Sequence, residues 1–140
     1  MPMPTLRPAR LEDIPAVLAL WRVSAEPSST DDAAALRCLL GHDEGALIIG
    51  ESSGQIVGSV IAAWDGWRGT VYRLAVSPSH RRSGLGTRLL QAAEQRISER
   101  GARRLQATVI ETDRRAMEFW ERTGWRRVHD QTRFTWNRPA

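Results

Sequence analysis

The chain contains no lysine: all twenty of its basic residues are arginine. Its single cysteine, Cys38, excludes an internal disulfide framework. Cys38 falls in the apolar half of a helical pattern, where a core-filling role is expected. The three histidines do not cluster and show no His-x-x-x-His spacing, so no metal site is expected. No apolar run approaches the ~18 residues of a membrane helix. The N-terminus "MPMPTLRPAR" lacks the apolar core of a signal peptide, so a cytoplasmic protein with no membrane partner is expected. At 140 residues, the expectation is one domain over residues 1–140 with a single core.

Sixteen carboxylates set against arginines that never deprotonate leave a net charge of +4 and a sequence pI near 10.8. Such a balance suits nucleic acid, a polyanionic cofactor or plain solubility. The arginines are scattered from Arg7 to Arg138 with acids among them, and no aromatic-plus-basic nucleic-acid motif occurs. A solvated surface, with no nucleic-acid partner, is the better reading.

Periodicity gives the organisation. "TLR" (5–7) reads as a first strand, and Ile14, Val17, Leu18 and Trp21 place one buried stripe on a helix over 11–23. "AEPSST" (25–30) is a loop, and Thr30, Asp31 and Asp32 start a second helix that ends near Gly41. Strands "ALIIGES" and "QIVGSVIAAW" meet at the hairpin signal "SSG", and Asp65-Gly66 turns the chain into "TVYRLAV" (70–76). A helix to about Arg100 carries Leu85, Leu89, Ala93 and Ile97 on one face, and Gly101 stops it. "RRLQATVI" alternates as a strand. A short helix then puts Ala116, Phe119, Trp120 and Thr123 on one face, and "RFTWN" (133–137) reads as a last strand with Trp136 facing the core. The order is β-α-α-β-β-β-α-β-α-β, an α/β (α+β) chain whose three antiparallel strands lead into a strand-helix-strand crossover.

Between strand and helix lies "SPSHRRSGLGTRLL". A helix starting near Gly84 leaves backbone N–H groups without intrahelical partners, and glycines let a ligand approach the chain closely. With the helix dipole and Arg81 and Arg82, this is a phosphate-binding constellation in physical terms. It is not a P-loop, since no Gly-Lys-Ser/Thr follows. Nor is it a dinucleotide fingerprint, since Leu89 stands at the third glycine position. A bare strand-to-helix turn with solvent-facing arginines would also satisfy Gly-x-Gly alone.

Arg-x-x-Gly-x-Gly after "LAVSP", together with "DRRAMEFWERTGW" (113–125), resembles the two signatures of the GNAT acetyltransferase superfamily. The likeness runs the length of the chain. It implies the GNAT fold: a mixed, mostly antiparallel central sheet with helices on both faces and splayed central strands that hold acetyl-CoA. By position, it implies that Leu74, Ala75 and Val76 lie beside the pantetheine arm, with a bulge in their strand. Arg81, Arg82, Ser83, Gly84, Leu85, Gly86 and Thr87 would then wrap the pyrophosphate. Asp113 and Trp120 stand at two further cofactor positions, but depart from the family's Asn and Tyr. Asp113 can still cap its helix. The Trp120 indole can donate a hydrogen bond but is no acid near neutral pH, so packing is its expected role.

The acceptor's proton needs another group. The places where relatives carry Glu hold Thr70 and Thr108, which leaves Glu111 and Tyr72 as candidates, then Asp65, and His80 last. The Val76 backbone N–H is the candidate oxyanion donor. The implied activity is direct acetyl transfer to a primary amine of a small molecule or a peptide, with a non-catalytic CoA-binding protein as the alternative. Trp64 and Trp67 flank Asp65-Gly66, where an exposed aromatic pair would line an acceptor site or a homodimer contact.

Overall fold

Two turns with positive φ lay down the sheet. Ser53 and Gly54 take φ of 51° and 78°, the primed geometry whose twist matches the flanking strands. They join β2 (Leu47–Ser52) to β3 (Gln55–Trp64). Gly66, at φ 93°, turns β3 into β4 (Gly69–Val76), while the Asp65 carboxylate accepts from the Trp67 and Arg68 N–H groups at 2.8 and 2.7 Å. β1 (Thr5–Pro8) pairs antiparallel with β2, and β5 (Leu105–Ala107) pairs parallel with β4. The sheet order is β1-β2-β3-β4-β5.

The computed structural model describes residues 3–25 and 28–139. The chain forms two compact units, Met1–Thr108 and Val109–Ala140. The first holds the whole sheet, α1 (Ile14–Ser24), α2 (Ala33–His42) and α3 (Leu85–Glu99). The second holds α4 (Arg114–Glu121). Of the expected loop at 25–30, Glu26 and Pro27 lie outside the described residues.

Strand alternation sends neighbouring β3 residues to opposite faces. Ser59 meets α1 through Trp21, whereas a Cβ on Gly58 would press against Leu85 and Leu89 of α3. Helices therefore cover both faces. On one, Val17, Leu20 and Trp21 of α1 and Leu36 and Leu40 of α2 pack on Leu47, Ile49 and Ile61. On the other lies the α3 stripe of Leu85, Leu89, Ala93 and Ile97, each buried, and each large apolar side chain contributes about 1.5–3 kcal/mol by its burial. The first helical segment opens as a 3₁₀ turn, Leu11–Asp13, and Leu11 is exposed.

Two close approaches need glycine. A Cβ on Gly69 would sit 2.3 Å from Ile97 Cγ2. Gly69→Ala is expected to cost about 1–3 kcal/mol of stability by overpacking. Denaturant unfolding of a double-mutant cycle with Ile97→Ala should recover part of that loss; strict additivity would show that the clash is not its cause.

Three expectations are corrected. The strand expected over residues 103–110 pairs only through Leu105–Ala107. Residues 133–137 form no strand, and Trp136 and Phe134 are exposed, because period-two alternation makes a strand only where a neighbour supplies a ladder. Cys38 is exposed on α2, whose buried stripe is Leu36 and Leu40.

Candidate active site

The site starts at a defect in β4. Ser59 faces Ala75 and Ile61 faces Tyr72, so two steps along β3 match three along β4. The extra residue is absorbed at Arg73, whose φ of 51° is a left-handed value uncommon for a side-chain-bearing residue. The bulge anticipated in this strand is therefore present. On its other edge β4 pairs with β5 only at Gly69, Thr70 and Val71. From Tyr72 to Val76 that edge has no strand partner among the described residues. Ser77 donates its N–H to Val57 O on β3 at 2.8 Å. Neighbouring N–H groups of a strand point to opposite edges, so that of Val76 points to the open side.

The same edge runs directly into the glycine loop. A short 3₁₀ turn, Pro78–His80, leads to Arg81 and Arg82, and Gly84 at φ 85° caps α3. The first intrahelical bond is Arg88 N–H to Gly84 O at 3.1 Å, which leaves the N–H groups of Leu85, Gly86 and Thr87 at the helix start without intrahelical acceptors. Arg82, Ser83, Gly84 and Thr87 are exposed, and the Leu85 side chain anchors the turn in the core. Ser83 Oγ–H donates to His80 O and His80 Nδ1 meets Ser79 Oγ, so His80 is engaged within its own turn. Leu74, Ala75 and Val76 thus lie on the edge, and Arg81 to Thr87 form the turn and the first helical residues at its end.

In the second unit, Asp113 caps α4, its Oδ1 accepting from Ala116 N–H at 3.1 Å. Trp120 packs edge-on to Phe119 and Trp125, with centroids 5.7 and 4.9 Å away. The Glu111 carboxylate is exposed and meets Arg127 at 3.4 Å, a surface pair of small energetic weight.

Among the acid–base candidates of the first unit, Tyr72 stands opposite Ile61, on the sheet face covered by α1 and α2, and is 53% exposed. Asp65 is occupied: backbone N–H groups of Arg68 and Trp67 hold its carboxyl below the usual carboxylate range, which makes it a poor base. Trp67 is exposed at the hairpin tip, with the Arg68 guanidinium 3.8 Å over its ring. A cavity of about 350 Å³ is lined by Leu18, Trp21, Arg22 and Ala25 at the end of α1 and by Asp31 and Ala33 at the start of α2.

Sequence reasoning missed one group. The Trp21 indole N–H donates to Ser59 Oγ at 2.8 Å, and Ser59 Oγ–H donates to Arg73 O at 2.9 Å. The Arg73 guanidinium pairs with Asp31 and lies 5.5 Å from the Trp21 ring. The legible signal was a lone hydroxyl in an apolar strand; its partners are 14 and 38 residues away.

Among the described residues, an α/β sheet whose β4 edge lies open beyond Val71 leads straight into a glycine-capped helix N-terminus. The chain belongs to the acetyltransferase (GNAT) family, whose model matches residues 12–125. Solved structures share its fold. An aminoglycoside 6′-N-acetyltransferase from Acinetobacter haemolyticus is 18% identical, with 95% of this chain and 98% of that chain covered and a TM-score of 0.77. A GCN5-related N-acetyltransferase from Ralstonia eutropha is 21% identical over 96% and 99%, at 0.72. The ribosomal-protein-S18-alanine N-acetyltransferase of Escherichia coli is 21% identical over 91% and 80%, at 0.71. Family and fold place the chain among proteins of acetyl transfer, whose general acyl donor is acetyl-CoA.

Proposed function

We propose that residues 1–140 act as one acetyl-CoA-dependent N-acetyltransferase domain that delivers acetyl directly to a primary amine. The observation that carries this reading is the open β4 edge from Tyr72 to Val76, continuous with the N-terminus of α3. The family match supports one domain, since it runs through both compact units. No described helix is long and apolar enough to cross a membrane, and a cytoplasmic place is part of the proposal.

Acetyl-CoA, when bound, supplies a thioester whose carbonyl an amine attacks as the C–S bond breaks. Leu74, Ala75 and Val76 offer backbone groups to the pantetheine amides as a neighbouring strand would. Arg81, Arg82, Ser83, Gly84, Leu85, Gly86 and Thr87 hold the pyrophosphate by N–H groups, dipole and charge. The Val76 N–H, aimed at the open edge, would donate a hydrogen bond to the thioester carbonyl oxygen. From the second unit the reading enlists Asp113, which fixes the start of α4, and Trp120, which packs. Glu111 is the first candidate to take the amine proton and Tyr72 the second. The cavity beside Trp21 and the hairpin at Trp64 and Trp67 are the candidate acceptor surfaces in the first unit, and the hairpin is also the candidate homodimer contact. The fold neighbours include acceptors as different as an aminoglycoside and a ribosomal-protein alanine, so both a small-molecule and a peptide amine belong in the screen.

Calorimetric titration with acetyl-CoA and with CoA tests the cofactor half; binding of neither overturns it. Release of free thiol across an amine panel then tests transfer. Glu111→Gln is expected to lower turnover about a hundredfold with CoA affinity unchanged. Unchanged turnover moves the role to Tyr72. The ring packing of Trp120 at the usual Tyr position favours a second reading, a CoA-binding protein without transferase activity. Cofactor binding without thiol release at any pH on the panel would select it.

A further inference from the structure

We propose that Ser59 is a positioning residue for acetyl transfer: its hydroxyl, backed by Trp21, holds the Arg73 carbonyl and so fixes the β4 bulge that opens the cofactor edge. The proposal rests on the reading of that edge as the pantetheine site. Ser59 is wholly buried and sits on β3, away from the open edge, so it acts through Arg73.

A bulge takes a residue out of the ladder, and a partly buried carbonyl removed from it is satisfied by another donor, here Ser59. Between the pairs Ser59–Ala75 and Ile61–Tyr72, Val60 alone stands opposite Arg73 and Leu74, and the left-handed φ of Arg73 persists only where the surroundings over-determine it. Three contacts do so. Ser59 Oγ–H binds its carbonyl, Asp31 binds its guanidinium, and the Trp21 ring lies beside that guanidinium. Trp21 donates to a lone pair of the hydroxyl, whose single O–H is committed to the Arg73 carbonyl. With the carbonyl fixed, the peptides that follow are fixed too, and the N–H groups of Leu74 and Val76 stay aimed at the open side. Asp31 also lines the cavity beside Trp21, so the same bulge residue fastens the α1–α2 connection to the edge.

Ser59→Ala removes both hydrogen bonds with little change of volume. Ser59→Cys keeps a weaker donor at similar size. CoA affinity by calorimetry, thermal unfolding and amide hydrogen exchange are measured on the full chain. The expected result is exchange about tenfold faster in Ser59→Ala, confined to residues 73–77, with CoA bound about tenfold more weakly and Ser59→Cys between the two proteins. Wild-type CoA affinity and unchanged exchange at 73–77 overturn the proposal. Exchange that rises evenly through the first unit, with CoA affinity retained, also overturns it, since Ser59 is then only a core residue. If the wild-type chain itself binds no CoA, the cofactor reading fails and the role in acetyl transfer falls with it; a local rise at 73–77 then shows only that Ser59 holds the bulge, and its absence ends that too.

Discussion

Gly84→Val is expected to weaken CoA binding by about two orders of magnitude in a protein that still folds. A Cβ at this position meets nothing within 4 Å, so the substitution produces no clash, unlike Gly69→Ala. What it opposes is the backbone: φ is 85°, a conformation that costs an ordinary L-residue roughly 1–2 kcal/mol and a β-branched one more. The local escape is rotation of the turn, which swings the N–H groups of Leu85, Gly86 and Thr87 off the phosphate. Two charge-assisted hydrogen bonds lost at about 1.5 kcal/mol each account for the hundredfold. Gly84→Asn, whose side chain tolerates the left-handed region, should bind within a few-fold of wild type. Calorimetry separates the cases. Equal loss in Val and Asn variants would make volume rather than φ the cause, and wild-type affinity in a folded Val variant would remove the loop from phosphate binding.

Asp13→Ala should lower stability by about 3 kcal/mol, the lower end of the loss on breaking a buried ion pair, because Arg7 is only half-buried. For a chain of this size that is a fall of about 10 °C in Tm. Asp13 is buried at the entry to α1, where Arg7 reaches it with two hydrogen bonds of 2.8 and 3.1 Å and Glu51 with a third of 2.8 Å. The Arg10 N–H adds another at 2.8 Å. The Arg7 contact is the main reason the Asp13 carboxyl titrates below its ordinary value, and Asp13 in turn holds the Arg7 guanidinium more firmly protonated. The native state therefore binds fewer protons here than the unfolded chain. This stabilisation is complete above the unfolded carboxylate pKa, about 3.9, and drains away as pH falls through the lower folded value. Thermal unfolding from pH 7 to pH 2 should show the Asp13→Ala and wild-type curves converging at the acid end. A gap that stays constant to pH 2 would show that the loss is packing, not the ion pair.

Much of the frame was legible because it is written in local chemistry. Leu85, Leu89, Ala93 and Ile97 repeat at helical spacing and do form the buried face of α3. Ser53-Gly54 and Asp65-Gly66 turn where their residue types permit positive φ or a side-chain bond to backbone. Asp32 and Asp113 each cap the helix that follows them.

Other features depend on groups far apart in the chain. Arg7, Asp13 and Glu51 carry no joint pattern until β1 pairs with β2. Residues 133–137 alternate as well as any strand, yet a ladder takes two partners, and alternation in one segment says nothing of the other. By itself the sequence determined the helices, the turns and the glycine-capped loop, since each is decided within a few residues by periodicity, capping and φ. Only the tertiary structure decided where β4 breaks its register, because Trp21, Ser59 and Arg73 share no local signal and meet only when α1 is laid across the sheet.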